Sequence, residues 1–167
     1  MLQIIIFTLI IFNMKNVIIF LICISHSLHI SSQIYTEKYI NDANKIALDW
    51  LSKINHNNYE SGYNLLSNET KNKFDKETWI KLISELMVEF GDLNSRIVTS
   101  KEFQSEIEGL EDGFYVFISY KSDYENTDKH QEFIILKQND KAQWKILDYN
   151  YEFYSKQDNK TNSQLSN

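Results

Sequence analysis

The sequence predicts an α+β domain: about three N-terminal helices packed on a curved, roughly four-stranded antiparallel sheet. Two observations carry this. Apolar residues recur at helical spacing as far as Phe90, and beyond Gly91 the pattern changes to period two and stays there. A run of helices followed by a run of strands is the α+β order, and its economical solution places the helices on the concave face of one sheet. The composition agrees. A chain of 167 residues, 43% apolar and 24% charged, fits one core of ordinary size.

The elements follow in order. Over 36–55, Ala43, Ile46, Ala47, Trp50, Leu51 and Ile54 fall on one face, with Thr36 as N-cap, and Asn55-His56-Asn57-Asn58 ends the helix. A short helix over 59–66 puts Tyr59, Tyr63 and Leu66 on one side, and Ser67 to Asn72 reads as polar connection. The third helix is the best marked. Asp75 can cap it by accepting from first-turn N–H groups, and Phe74 and Trp79 sit at the two positions of a hydrophobic staple. Trp79, Leu82, Ile83, Leu86 and Phe90 form its buried stripe, and Gly91 is placed for a left-handed C-terminal stop.

Strands are expected at Ser95–Phe103, Phe114–Tyr124, His130–Lys137 and Gln143–Phe153. Glu111-Asp112-Gly113, Glu125–Lys129 and Gln138–Lys141 are the turns between them. Residues 33–154 therefore form a single domain, and 155–167 is a polar tail without periodicity, expected to be disordered.

Residues 1–32 read as an address. From Met1 the apolar run is long enough to anchor in a bilayer. From Met14 it is a compact signal peptide, with Lys15 as the basic region, Val17–Ile24 as the apolar core and cleavage after Ser27 or Ser32. The second reading is preferred and makes the chain exported, periplasmic or secreted; the alternative is membrane anchoring through this segment alone. Cys23 lies in the apolar run, so the remaining chain holds no cysteine for thiol chemistry or a disulfide.

Charge excludes further classes. Seventeen basic against 23 acidic residues give −6, the wrong sign for nucleic acid. No His/Cys/carboxylate spacing matches a metal site, no cofactor motif is present, and four glycines build no phosphate loop.

Ala47, Trp50-Leu51, Tyr59, Tyr63, Trp79, Gly91, Arg96, Gly113, Tyr115, Tyr120, Glu132, Trp144-Lys145 and Tyr149 occur in an order and spacing that resembles the domain of unknown function 4019 family. The resemblance covers roughly 40–152 and implies a mostly bacterial, exported protein. It also implies a cone-shaped, cystatin-like fold, similar to nuclear transport factor 2 and ketosteroid isomerase. Where that family often has glycine before the last tyrosine, this chain has Asp148.

Arg96, the single arginine, and Glu132 are the sharpest candidate pair. Glu132 shares its strand face with Ile134 and Leu136, and a carboxylate on a covered face needs a partner that arginine supplies in bidentate form. The pair either fixes the sheet or forms the polar end of a ligand pocket. Tyr120, Tyr149, Tyr151 and Trp144 are candidate cavity-lining aromatics. His56 reads as a solvated loop residue and His130 as a turn histidine at the start of a strand.

The leading expectation is an exported domain that binds a small ligand or a protein without catalysis. One alternative is an isomerase- or hydratase-like enzyme using Glu132 with a tyrosine, which requires a raised Glu132 pKa and an open pocket. The other is an acidic inhibitor that meets a basic partner through the run Glu102–Asp112. A homodimer through the open sheet face is also expected.

Overall fold

The computed structural model describes residues 35–156; the segment expected to be a signal or anchor and most of the segment expected to be tail lie outside them. The chain divides into two units at Lys38/Tyr39, and apart from the first residues of the opening helix everything described below belongs to the second.

Helix α1 covers 35–55, so Thr36 lies inside the helix and not at its cap. Ala43, Ala47, Trp50, Leu51 and Ile54 are buried as the periodicity predicts. Asn57, with φ of 59°, ends the segment; asparagine tolerates this left-handed conformation. Helix α2 is Tyr59–Asn64. A further helix, α3, spans Asn68–Lys73 where the sequence suggested only connection. The signal was present: the Ser67 hydroxyl accepts from Thr70 N–H at 3.2 Å as an N-cap. Helices therefore number four among the described residues.

Helix α4, Lys76–Phe90, starts as predicted, with Asp75 Oδ1 accepting from Thr78 N–H at 2.9 Å. Trp79 packs on Tyr63 and Trp50, at ring separations of 5.7 and 6.4 Å, while Phe74 stays 39% exposed at the rim. Its stripe differs from expectation: Leu82 and Leu86 are not among its buried residues, Leu86 being half-buried, and Met87 is added to them. Met87 is buried and Leu82 is 48% exposed, because the face turned to the sheet runs Trp79, Ile83, Met87, Phe90 at strict i, i+4 and i+3 steps.

The sheet is an antiparallel meander, β1-β2-β3-β4, with β1 Leu93–Gln104, β2 Tyr115–Tyr124, β3 Thr127–Gln138 and β4 Trp144–Ser155. The polar turn expected at 125–129 shrinks to Glu125-Asn126, so β3 begins at Thr127. The last strand also runs on to Ser155, into the segment expected to be tail. Lys156 follows it and donates through Nζ to the carbonyls of Tyr124 and Glu125 at 2.7 and 2.9 Å.

Asn94 and Thr99 on β1 and Leu147 on β4 are extra residues that oppose no partner. Such bulges bend and twist a sheet and shift the side-chain alternation by one. Around them Val116, Ile118, Tyr120, Ile134, Leu136 and Ile146 form the sheet's share of the core beneath α1 and α4. Each fully buried side chain of this kind contributes about 1.5–3 kcal/mol relative to exposure.

Gly91 joins α4 to β1 with φ 74° and ψ −164°. The positive φ is as predicted, but the backbone leaves the helix extended, in a region almost confined to glycine. This aims β1 back beneath the helix and leaves room for the β2–β3 turn, which donates from Glu125 N–H to Asp92 O and from Asn126 N–H to Phe90 O.

Candidate functional site

Arg96 sits on β1 opposite Ser122 of β2, and Glu132 sits on β3 opposite Tyr120 of β2. Arginine and carboxylate thus face each other across an intervening strand, on the face turned toward the helices. Arg96 Nε donates to Glu132 Oε2 at 2.6 Å and Nη2 to Oε1 at 3.0 Å. The side chains are 9% and 0% exposed.

Every other polar atom of the pair is engaged. Ser122 donates to Glu132 Oε2. Tyr149 and Tyr124 donate to Oε1 at 2.7 and 3.1 Å. Arg96 Nη1 donates to Asn55 Oδ1 at 3.0 Å, Nη2 to the Tyr124 hydroxyl at 2.5 Å, and Nε also to Ser122 at 3.2 Å. Asn55 closes the ring by donating to Tyr124 at 3.3 Å. The network ties the end of α1 to all four strands.

Its electrostatics follow from burial and pairing. Burial alone would raise the Glu132 pKa, but the adjacent Arg96 charge and the bonds from Arg96, Ser122 and Tyr149 hold it below the usual carboxylate range. Burial alone would lower that of Arg96, and the carboxylate raises it instead. The tyrosines move the other way. Burial raises Tyr149 and Tyr124, with the Glu132 charge adding to both, and pushes Tyr120 up to about 12.

The candidates named from sequence therefore separate. Arg96, Glu132 and Tyr149 meet in one network. Tyr120 is adjacent, its ring 5.9 Å from the Arg96 guanidinium, and its buried hydroxyl has no hydrogen-bond partner among the described residues. Trp144 is not part of it: it pairs with Gln138 at the other end of the sheet and packs on Tyr39. Asn55, Ser122 and Tyr124 were missed. Ser122 and Tyr124 share the face of Ile118 and Tyr120, so alternation alone placed them, but nothing placed them beside Arg96 without the register.

His130 is a correction. It is no turn residue: it is fully buried, edge-on to Phe90 at 4.3 Å and stacked on Phe153 at 5.4 Å. Its Nδ1 lies 2.9 Å from Thr127 Oγ1, and Nε2 has no partner among the described residues. The shortened turn explains this, since starting β3 at Thr127 sets His130 inside the sheet. Burial lowers its pKa. His56 stays at the end of α1, with Nδ1 2.7 Å from Ser52 O.

Tyr149 has a second neighbourhood. Its ring meets Trp50 edge-on at 5.0 Å, and beyond it a groove of about 490 Å³ opens between α4 and the edge strand β4. Trp50, Trp79, Leu82, Leu86, Tyr149 and Tyr151 supply its apolar walls, and Glu85, Glu89 and Asp148 also line it. The acidic run 102–112 is elsewhere, on β1 and the loop after it, where Glu111 pairs with Lys137 at 2.9 Å. Among the described residues no group of three or more His, Cys, Asp or Glu side chains could hold a metal ion.

A helix layer on the inner face of a curved meander, locked by a buried Arg–Glu network, defines an α+β domain with a lateral groove. The family model for proteins of unknown function DUF4019 matches residues 46–149, and the chain belongs to that family. That span runs from α1 through the last network tyrosine. No curated protein matches the sequence.

Proposed function

We propose that this is an exported, non-catalytic binding domain whose ligand occupies the groove between α4 and β4. The observation that carries the reading is the groove itself, about 490 Å³ and walled by aromatic and aliphatic side chains. That size and lining suit a small apolar molecule. Leu82 and Tyr151 stand 48% and 39% exposed there. An export address fits the apolar segment that follows Lys15.

Glu132 argues against the isomerase alternative. A general base needs a free lone pair, access to substrate and a pKa near the working pH. Glu132 is fully buried, bonded at both oxygens and shifted downward. Its role in this reading is to hold Tyr149 in place as the inner wall of the groove.

The test uses N-phenyl-1-naphthylamine, a neutral probe that fluoresces in apolar surroundings. The purified chain should bind one molecule, and Leu82→Trp, which fills the groove without touching the core, should abolish the signal. Undiminished binding by the Leu82→Trp variant would rule the groove out. N-terminal sequencing of the chain recovered outside the cytoplasm should find a start after residue 27 or 32.

A further inference from the structure

We infer that the groove selects a cation: an amine or quaternary ammonium carried on an apolar body. This deepens the groove reading and rests on it. Among the described residues that line the groove, three are carboxylates, Glu85, Glu89 and Asp148, and none is lysine or arginine. The chain as a whole carries 23 acidic against 17 basic residues, and the groove lining carries the acidic share alone. Lys81, outside the lining, stands 4.0 Å from Glu85, and Asp148 accepts from Tyr149 N–H at 3.0 Å and Asn150 Nδ2 at 2.8 Å.

The arrangement serves a cation in two ways. Glu85 and Glu89 are one helical turn apart on α4, and Asp148 stands on β4, so negative charge borders the groove on both long sides. Between them the groove presents the rings of Tyr149 and Tyr151, with the buried Trp50 and Trp79 behind them, and an aromatic face attracts an ammonium group through its quadrupole. The same wall repels a carboxylate or phosphate ligand. Arg96 does not change this, because Tyr149 stands between it and the groove and its charge is neutralised by Glu132.

Three probes with one apolar body isolate the charge: naphthylmethyl-trimethylammonium, naphthylmethanol and naphthylacetate, each titrated into the full chain by calorimetry. The ammonium should bind about tenfold more tightly than the alcohol, and the acetate more weakly than either. The ammonium's advantage should shrink in high salt and in the Glu85→Gln/Glu89→Gln double variant. Both residues are solvent-exposed, so the variant keeps its core. Equal binding of all three probes would overturn the cation assignment and leave the groove reading standing. An advantage unchanged in the double variant would also overturn it. Binding of none of the three would overturn both.

Discussion

Arg96 and Glu132 form a bidentate pair across an intervening strand, with Nε–Oε2 at 2.6 Å and Nη2–Oε1 at 3.0 Å, both side chains buried. Such a pair recovers in Coulomb energy and hydrogen bonds about what it loses in desolvation. Its consequence is asymmetry: breaking it from one side leaves a charge in the core. Arg96→Met should therefore cost about 3–5 kcal/mol in urea unfolding. Combining it with Glu132→Leu should recover much of that loss. A double variant no more stable than Arg96→Met would show that the network acts through hydrogen bonds to Asn55 and Tyr124, not through charge.

Acid should destabilise the fold in two steps, and His130 sets the first. Its pKa is lowered in the folded chain by burial, so below the ordinary value of 6.5 the unfolded chain binds the extra proton. Stability is thus full above that pH and declines as pH falls toward the folded pKa. Tyr124, Tyr151, Phe90 and Phe153 pack on the ring, and Glu132 favours its protonation while Arg96 opposes it. Glu132, also lowered, adds a second loss that starts only below its ordinary value of 4.5. In His130→Phe, melting temperature between pH 6.5 and 4.5 should become flat while the steeper fall below 4.5 persists. An unchanged slope in the upper range would remove His130 from the account.

Gly91→Ala should be among the most damaging single-methyl additions. A Cβ there would lie 2.8 Å from Asn126 Nδ2 and 2.9 Å from Glu125 Cβ, at a φ of 74°. The amide can swing away, but the Glu125 Cβ is fixed by the turn. The expected loss is about 1–3 kcal/mol from backbone strain alone. It should appear as a lower urea midpoint with an unchanged m-value. A melting temperature within a degree of the parent would show that the turn moves freely.

Much of this architecture was legible in the residues. The buried face of α1, the Asp75 cap and the four-strand meander all follow from local periodicity and local hydrogen bonding. Arg96 and Glu132 were also readable as partners, because a lone arginine and a carboxylate on an apolar strand face each require explanation. What escaped depends on register. Leu147 as a bulge moves the inward residues from Trp144 and Ile146 to Tyr149, and a period-two reading has no means to see the change of phase. His130 was misplaced for a related reason: a run of polar residues disguised a two-residue turn. The groove could not be read at all, since it exists only once α4 and β4 lie side by side.

The bulge at Leu147 also explains why α3 matters, and yields a last prediction. An extra residue in an edge strand turns a carbonyl out of the ladder, where it needs another donor. Thr70 of α3 supplies it, donating to Leu147 O at 2.6 Å. The neighbouring backbone joins in: Ser67 N–H donates to Ile146 O at 2.8 Å and Ile146 N–H to Leu65 O at 3.0 Å. Thr70→Val keeps the shape and removes the donor, leaving a part-buried carbonyl without its partner, at a cost of about 1–3 kcal/mol. The loss should be local before it is global. Hydrogen exchange at the Ser67 and Ile146 amides should accelerate while Val116 and Ile118, on the central strand β2, keep their protection. Because Leu66, Thr70 and Ile146 all border the groove, the same variant should also weaken probe binding there. Uniform acceleration across the sheet would instead mean that α3 unfolds only with the whole domain, and that Thr70 stabilises the core without shaping the groove.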